Sequence, residues 1–225
     1  MNTLIVNVDE EIHKLGIVVN FIVFRNIRNL ESNNEFESYR QQRLANIIPG
    51  LSKKMLKDEQ VLEGYRVLRT KLGLSKNKYI CSSEALLKYL LKKNTLPHVN
   101  LLVDIYNLLS VKTHVSIGAH ELGMINQHLD FRITNGGEIF IPMGSNKPID
   151  IQKGEYAYID GSNEILCRLD HRQCHKTRIT EATRSCLLIV QGNPYTTKEQ
   201  ISNVAEELIT LVCKYCGGEA EIVKI

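Results

Sequence analysis

The sequence predicts an α+β fold, and three observations carry that prediction. Residues 34–113 read almost entirely as helix, residues 114–191 read as strands and turns, and the two characters never alternate as βαβ repeats would. The expectation is a mixed sheet flanked by helices, in a single domain over residues 1–225. Residues 1–78 would give an N-terminal strand and basic helices, and residues 79–192 the motif-bearing core. With 225 residues, 43% of them hydrophobic, the chain can bury a sizeable core.

Taken in order, LGIVVNFIVF at 15–24 is β-branched and aromatic and reads as a buried strand, central in the sheet. Ser32 and Asn33 then precede EFESYRQQRLANII, a polar amphipathic helix ending near Pro49 and Gly50. Leu51 to Leu72 reads as one further helix, with Met55, Val61, Leu62, Tyr65 and Leu68 at helical spacing and Gly73 as its cap. Ser82 or Ser83 with Glu84 starts SSEALLKYLLKK, whose closing Lys92 and Lys93 offset the helix dipole. Pro97 interrupts the chain before NLLVDIYNLLSV, a helix apolar on nearly every side, as buried helices are. Asp104 and Asn107 on that helix need partners; they either bond neighbouring backbone and hold loops, or line a cavity from one helix face. Two hairpins are expected: DFRIT and EIFIP around Asn135–Gly137, and KGEYAYID and EILCRLD around Gly161–Asn163. RSCLLIV is a further apolar strand. A capping box at Thr197 opens the last helix, Gly217 and Gly218 stop it, and AEIVKI closes the chain as a strand.

Composition excludes several classes. No apolar run approaches the roughly 20 residues of a membrane span, and no basic segment leads into a long apolar run at the N-terminus, so a cytoplasmic protein without a membrane partner is expected. Six cysteines without an export signal read as reduced thiols. Cys213 and Cys216 form a CxxC at the end of a helix, where the dipole would raise rather than lower a thiol pKa, so the pair reads as structural. The net charge of +3 is unevenly placed: residues 1–78 hold 13 Lys and Arg against 9 Asp and Glu, residues 79–225 hold 15 against 16. A phosphate-contacting appendage beside a neutral pocket has this distribution, and so does a solvated helix face. Lys53, Lys54, Lys57, Arg66 and Arg69 are the candidate RNA contacts; DNA is not expected.

Common catalytic motifs are missing: there is no phosphate loop, dinucleotide fingerprint, GxSxG or HExxH. Asp170, His171, Cys174 and His175, with His120 and Glu121, form one cluster of reactive side chains. It lacks a four-ligand zinc pattern, so neither metal nor other cofactor is expected.

The order CSSEALLKYLL, LPHVNLLVDIYNLLSV, SIGAHELGMI, GGEIFIPMG and KTRITEATRSCLLIV resembles the B3/B4 domain of the bacterial phenylalanyl-tRNA synthetase beta chain, and in particular free-standing proteins built on that domain. The resemblance spans about 79–192. Asn100, Asp104 and Asn107 fit its Asn-x-x-x-Asp-x-x-Asn helix, and Thr180 with Thr183 its threonine turn. In the synthetase this domain hydrolyses tyrosine wrongly esterified to tRNA. The resemblance therefore implies a B3/B4-like fold and a pocket for the terminal adenosine and its amino acid, where segments 104–121 and 165–183 meet. Two departures bear on that expectation. Gly118-Ala119-His120-Glu121 stands where the family has His-Ala-Phe-Asp, and Leu169 to His175 contains no glycine where the family has a glycine-rich loop.

An aminoacyl ester is already activated, so a site needs mainly to position water and stabilise developing charge. Glu121, His120 and His175 are the candidate catalytic residues, and Asp104, Asn107, Gly118, Ala119, Thr180 and Thr183 the candidate substrate contacts. Three functions follow: an editing hydrolase acting in trans on misacylated tRNA, a non-catalytic binder of tRNA or an amino-acid-like ligand, and a metal-dependent hydrolase using the His–Cys cluster.

Overall fold

A computed structural model describes residues 4–225. The first half runs β1 (Ile5–Val8), α1 (Glu10–Lys14), β2 (Val19–Arg25), α2 (Asn34–Ile47), α3 (Lys53–Asp58), α4 (Gln60–Lys71), α5 (Ser82–Lys93) and α6 (Leu101–Thr113). The second half runs β3 (Ser116–Glu121), β4 (His128–Ile133), β5 (Tyr156–Asp160), β6 (Ile165–Arg168), β7 (Arg172–Gln173), β8 (Cys186–Gln191), α7 (Lys198–Cys216) and β9 (Glu219–Ile222). Helices and strands segregate as an α+β fold requires, but the strands form two sheets rather than one. The first has the order β1-β4-β5-β6-β7, with β1 parallel to β4 and the rest antiparallel; the second is antiparallel, with the order β3-β8-β2-β9.

The apolar run CLLIVQ makes β8, buried at all six positions between β3 and β2. The early apolar stretch supplies β2, also interior to that sheet, and the C-terminal residues close its far edge as β9. Across the open face lie α6 and α7. Asn100 caps α6 by accepting from the Val103 amide at 3.1 Å, and every residue from Leu101 to Val111 is buried because α2, α5, α7 and β3 pack around that helix. Thr197 and Gln200 form the reciprocal capping box that starts α7. No helix among the described residues is long and apolar enough to cross a membrane.

Three local expectations are corrected. The stretch 51–72 is two helices, because Glu59 is extended (φ −67°, ψ 120°) and its carboxylate accepts from the Val61 amide at 3.3 Å to cap α4. Helix α5 is capped at Cys81 without a side-chain bond; the Ser82 amide instead donates to the Asp170 carbonyl at 2.9 Å. The hairpin around Asn135–Gly137 does not form. Glu138 turns back to accept from the amides of Asn135 and Gly136 and from Arg132, and β4 pairs with β5 across an excursion over residues 134–155. The hairpin around Gly161–Asn163 forms, joining β5 to β6.

Candidate functional site

Side chains alternate along a strand, so Ser116, Gly118 and His120 share one face of β3, opposite Gln191, Ile189 and Leu187 of β8. That face, with α5, α6, Tyr158 of β5, Cys167 of β6 and residues 170–173, encloses a cavity of about 420 Å³. The size is that of a small-molecule site. Its wall is largely apolar and aromatic, with Leu86, Tyr89, Tyr106, Met143 and Ile189 among the contributors.

Two polar groups stand out against this wall. Asn107 is 8% exposed, lines the cavity, and its carboxamide has no hydrogen-bond partner among the described residues. His120 is 1% exposed; Nδ1 lies 2.7 Å from the Thr177 hydroxyl, which is itself 3.0 Å from the Cys174 thiol. Nε2 is left without a protein partner on a side chain that lines the cavity. Burial drives the His120 pKa down to about 3, so the imidazole is neutral near pH 7.

Under the cavity lies a buried charge pair. Arg69 of α4 is 1% exposed and bonds Asp170 at 2.8 Å; Tyr156 donates to the same carboxylate, and Gln191 donates to it at 3.0 Å. Tyr158 donates to the Gln191 side chain at 2.5 Å, and Tyr65 to the Gln191 carbonyl. Burial works against the Arg69 charge, but Asp170 and Tyr156 outweigh it and hold its pKa above the ordinary value. Burial and the nearby Asp170 charge push the Tyr65 hydroxyl up. Leu169 and Asp170 are both left-handed (φ 55° and 44°), a conformation glycine takes freely and leucine resists. Arg69 also grips the Leu169 carbonyl, so the ion pair holds in place a turn that contains no glycine.

Of the anticipated contacts, Asn107, Gly118 and His120 reach the cavity. A Cβ at position 118 would lie 2.6 Å from the Gln173 side-chain amide, so Gln173 fills that space. Moving the histidine two residues along β3 keeps it on the same face. Ala119 and Glu121 fall on the other face. Asp104 does not reach the cavity: it accepts from the Val99 amide at 3.0 Å and faces His98 and Arg40, pinning the chain that enters α6. Thr180 and Thr183 make a turn of their own, Thr183 Oγ1 accepting from the Thr180 amide, and Asn29 fastens that turn to the start of α6. His175 leans on Arg178 and does not line the cavity, whereas His171, bonded to the Ile80 carbonyl, lines it beside Asp170, and Cys174 meets His120 through Thr177. No three His, Cys, Asp or Glu side chains among the described residues are placed to share a metal ion.

Arg69 is a correction: it cannot touch RNA, because it lies under the cavity. Its position was readable, since Leu62, Tyr65 and Arg69 follow helical spacing on one buried stripe. Lys53, Lys54 and Lys57 are exposed on α3; Arg66 is half-buried between Glu63 and Glu84. Tyr106, Tyr158, Gln173 and Gln191 are cavity residues with no local sequence signal.

The family described as B3/4 domain matches residues 65–217. Among solved structures, an N-terminal fragment of the phenylalanyl-tRNA synthetase beta-subunit from Pyrococcus horikoshii is similar in fold, with a TM-score of 0.53 and 12% identity. The similarity covers 98% of this chain and 51% of that one, so the present chain spans about half its length. No curated protein matches.

Proposed function

The chain belongs to the B3/4 domain family, and from that premise we propose that it binds aminoacyl-tRNA in the cytoplasm and hydrolyses a wrongly attached amino acid. The observation that carries this reading is the cavity of about 420 Å³, whose largely apolar wall brings the Asn107 carboxamide and His120 Nε2, both without a protein partner among the described residues, into one space. The Asn107 amide still meets solvent, so a ligand that replaces that water with a hydrogen bond is held in one orientation. An amino-acid side chain suits the apolar wall, and the ester with its adenosine suits the polar end.

In the proposed reaction the oxygen of water bonds to the ester carbonyl carbon, and the carbon–oxygen bond to the ribose breaks. The water gives up a proton and the ribose oxygen gains one. With the Thr177 hydroxyl donating to Nδ1, His120 carries its proton on Nε2 and donates it as a hydrogen bond to the developing oxyanion. A neutral imidazole with so low a pKa serves as a donor, not as the general base. Asn107 orients the ester, and Gly118 leaves room for the Gln173 side chain that lines the same cavity. Glu121 and His175 take no part; Asp104, Thr180 and Thr183 act by holding α6 in place.

A non-catalytic binder is the second reading. It is favoured by the cavity's sole carboxylate, Asp170, being wholly engaged by Arg69, Tyr156 and Gln191. Incubation with a panel of tRNAs, each carrying a different amino acid, separates the two. Release of at least one amino acid above the spontaneous rate supports the hydrolase; binding without release of any supports the binder.

A further inference from the structure

Helix α5 is a wall shared by two concavities. Ser82, Ala85, Leu86 and Tyr89 face the cavity, while Glu84, Lys88, Leu91 and Lys92, one stripe round the same helix, face a groove of about 810 Å³ against α3, α4 and the loop after α4. Six cations line this groove: Lys53 and Lys57 from α3, Arg66 from α4, Lys76 from the loop, and Lys88 and Lys92 from α5. Two carboxylates oppose them, Glu63 and Glu84, which leaves the groove at +4 when the whole chain carries +3. Both carboxylates are already engaged by Arg66, and Glu84 also by Lys88 at 2.8 Å. Lys53, Lys57, Lys76 and Lys92 have no carboxylate within salt-bridge distance among the described residues.

We infer that this groove is a track for the phosphates of the same RNA strand whose 3′ end enters the cavity across α5, an inference that rests on the tRNA reading above. Four unpaired ammonium groups converging on one concavity suit a phosphodiester chain, which presents a negative charge at every nucleotide. The shared wall sets the distance. A helix with its side chains is about 10–12 Å across. A strand that crosses this wall therefore brings to the groove phosphates a few nucleotides before the terminal adenosine. Lys54 and Lys93, on the same two helices, are exposed outside the groove and are excluded from the track.

The test uses the full chain and a fluorescent single-stranded octaribonucleotide ending in adenosine, titrated at several potassium chloride concentrations. The triple variant Lys57→Glu, Lys76→Glu, Lys92→Glu spares Glu84's partners. It is expected to bind about tenfold or more weakly and to lower the salt slope by about two, at roughly 0.7 per lost phosphate contact. A charge-matched triple variant, Lys54→Glu, Lys71→Glu, Lys93→Glu, should stay within about twofold of the unaltered protein. Both triple variants should bind a dinucleotide equally, because it is too short to cross α5. Equal losses in the two triple variants, or no measurable octanucleotide binding by the unaltered protein at low salt, overturns the inference.

Hydrolysis of an aminoacyl ester on adenosine alone tells this failure apart from failure of the cavity reading. If the ester is cleaved and the groove variant binds the octanucleotide normally, the track is wrong and the hydrolase stands. If no ester is cleaved and only the groove variant loses RNA, the track stands and the hydrolase is wrong.

Discussion

The cavity and the groove share α5 as a wall, yet they are built by opposite means. The groove is assembled from helices near one another in sequence, and its charges remain largely unpaired toward solvent. Residues from 82 to 191 surround the cavity, and the one ion pair at its floor is closed off from ligand by its own partners. Charge left free attracts at a distance and discriminates little, whereas buried and satisfied charge fixes shape. Two arginines one turn apart on α4 show the contrast: Arg66 belongs to the groove and Arg69 to the floor of the cavity.

The largest expected effect follows from that pair. Arg69→Ala strands Asp170 in the core and releases the left-handed turn at Leu169 and Asp170, for an expected loss of about 3–5 kcal/mol in urea unfolding. Arg66→Ala should cost less, about 1–2 kcal/mol, because the buried Glu84 keeps Lys88 as a partner and Glu63 stays open to water. Equal losses for the two would mean that the floor is not the special element it is argued to be.

Next comes the cavity's own chemistry. Asn107→Ala is expected to slow ester hydrolysis up to about a hundredfold, the scale of one lost orienting donor, without altering the salt dependence of tRNA binding. Parallel deacylation and fluorescence titrations check it. A changed salt slope would mean that Asn107 supports the groove as well.

These two regions were not equally legible. The amphipathic spacing of α4, the capping box of α7 and the apolar runs of β2 and β8 are local signals, and the structure follows them. The lysines of α3 could be read as exposed for the same reason. Asp104 could not be resolved, because Arg40, one of its partners, lies 64 residues away; nor could Gln191, whose alignment with Ser116 depends on β3 pairing with β8. The displaced histidine looked like a loss from a one-dimensional match. Only the alternation along β3, once paired, returns His120 to the cavity. The failed hairpin at Asn135–Gly137 has a local cause: the Glu138 carboxylate competes successfully for the turn amides.

Burial of His120 gives the cavity a pH signature that the groove lacks. Its folded pKa, near 3, lies below the unfolded value of about 6.5, so between those values the unfolded chain binds more protons. Stability is therefore full above about pH 6.5 and lost as the pH falls toward 3, at up to about 1.4 kcal/mol per unit. From pH 6.5 to 5 the expected loss is about 2 kcal/mol, followed by urea unfolding, and His120→Gln should remove most of it. Hydrolysis by the folded protein should be flat from pH 6 to 8 with respect to this group. A stability curve unchanged by His120→Gln would place the titration elsewhere.

The smallest effect tests whether the two regions are independent. Glu59 separates α3, which carries two of the groove lysines, from α4, which carries Arg69 to the cavity floor. Its carboxylate caps α4 and lies 3.4 Å from His114 Nδ1, while its backbone departs from helix. Glu59→Ala removes the cap, for about 1 kcal/mol, or about 2–4 °C in Tm for a chain of this size. It also puts a strong helix former at the joint, which favours the continuous helix that the spacing over 51–72 predicts. If the break confines disturbance to α3, octanucleotide affinity should fall less than about threefold, with ester hydrolysis unchanged. Amide exchange at Glu59 to Leu62 would report whether the two helices have fused. Hydrolysis falling in step with RNA binding would show that α4 transmits strain from the groove to Arg69, and the separation of the two sides of α5 would then fail.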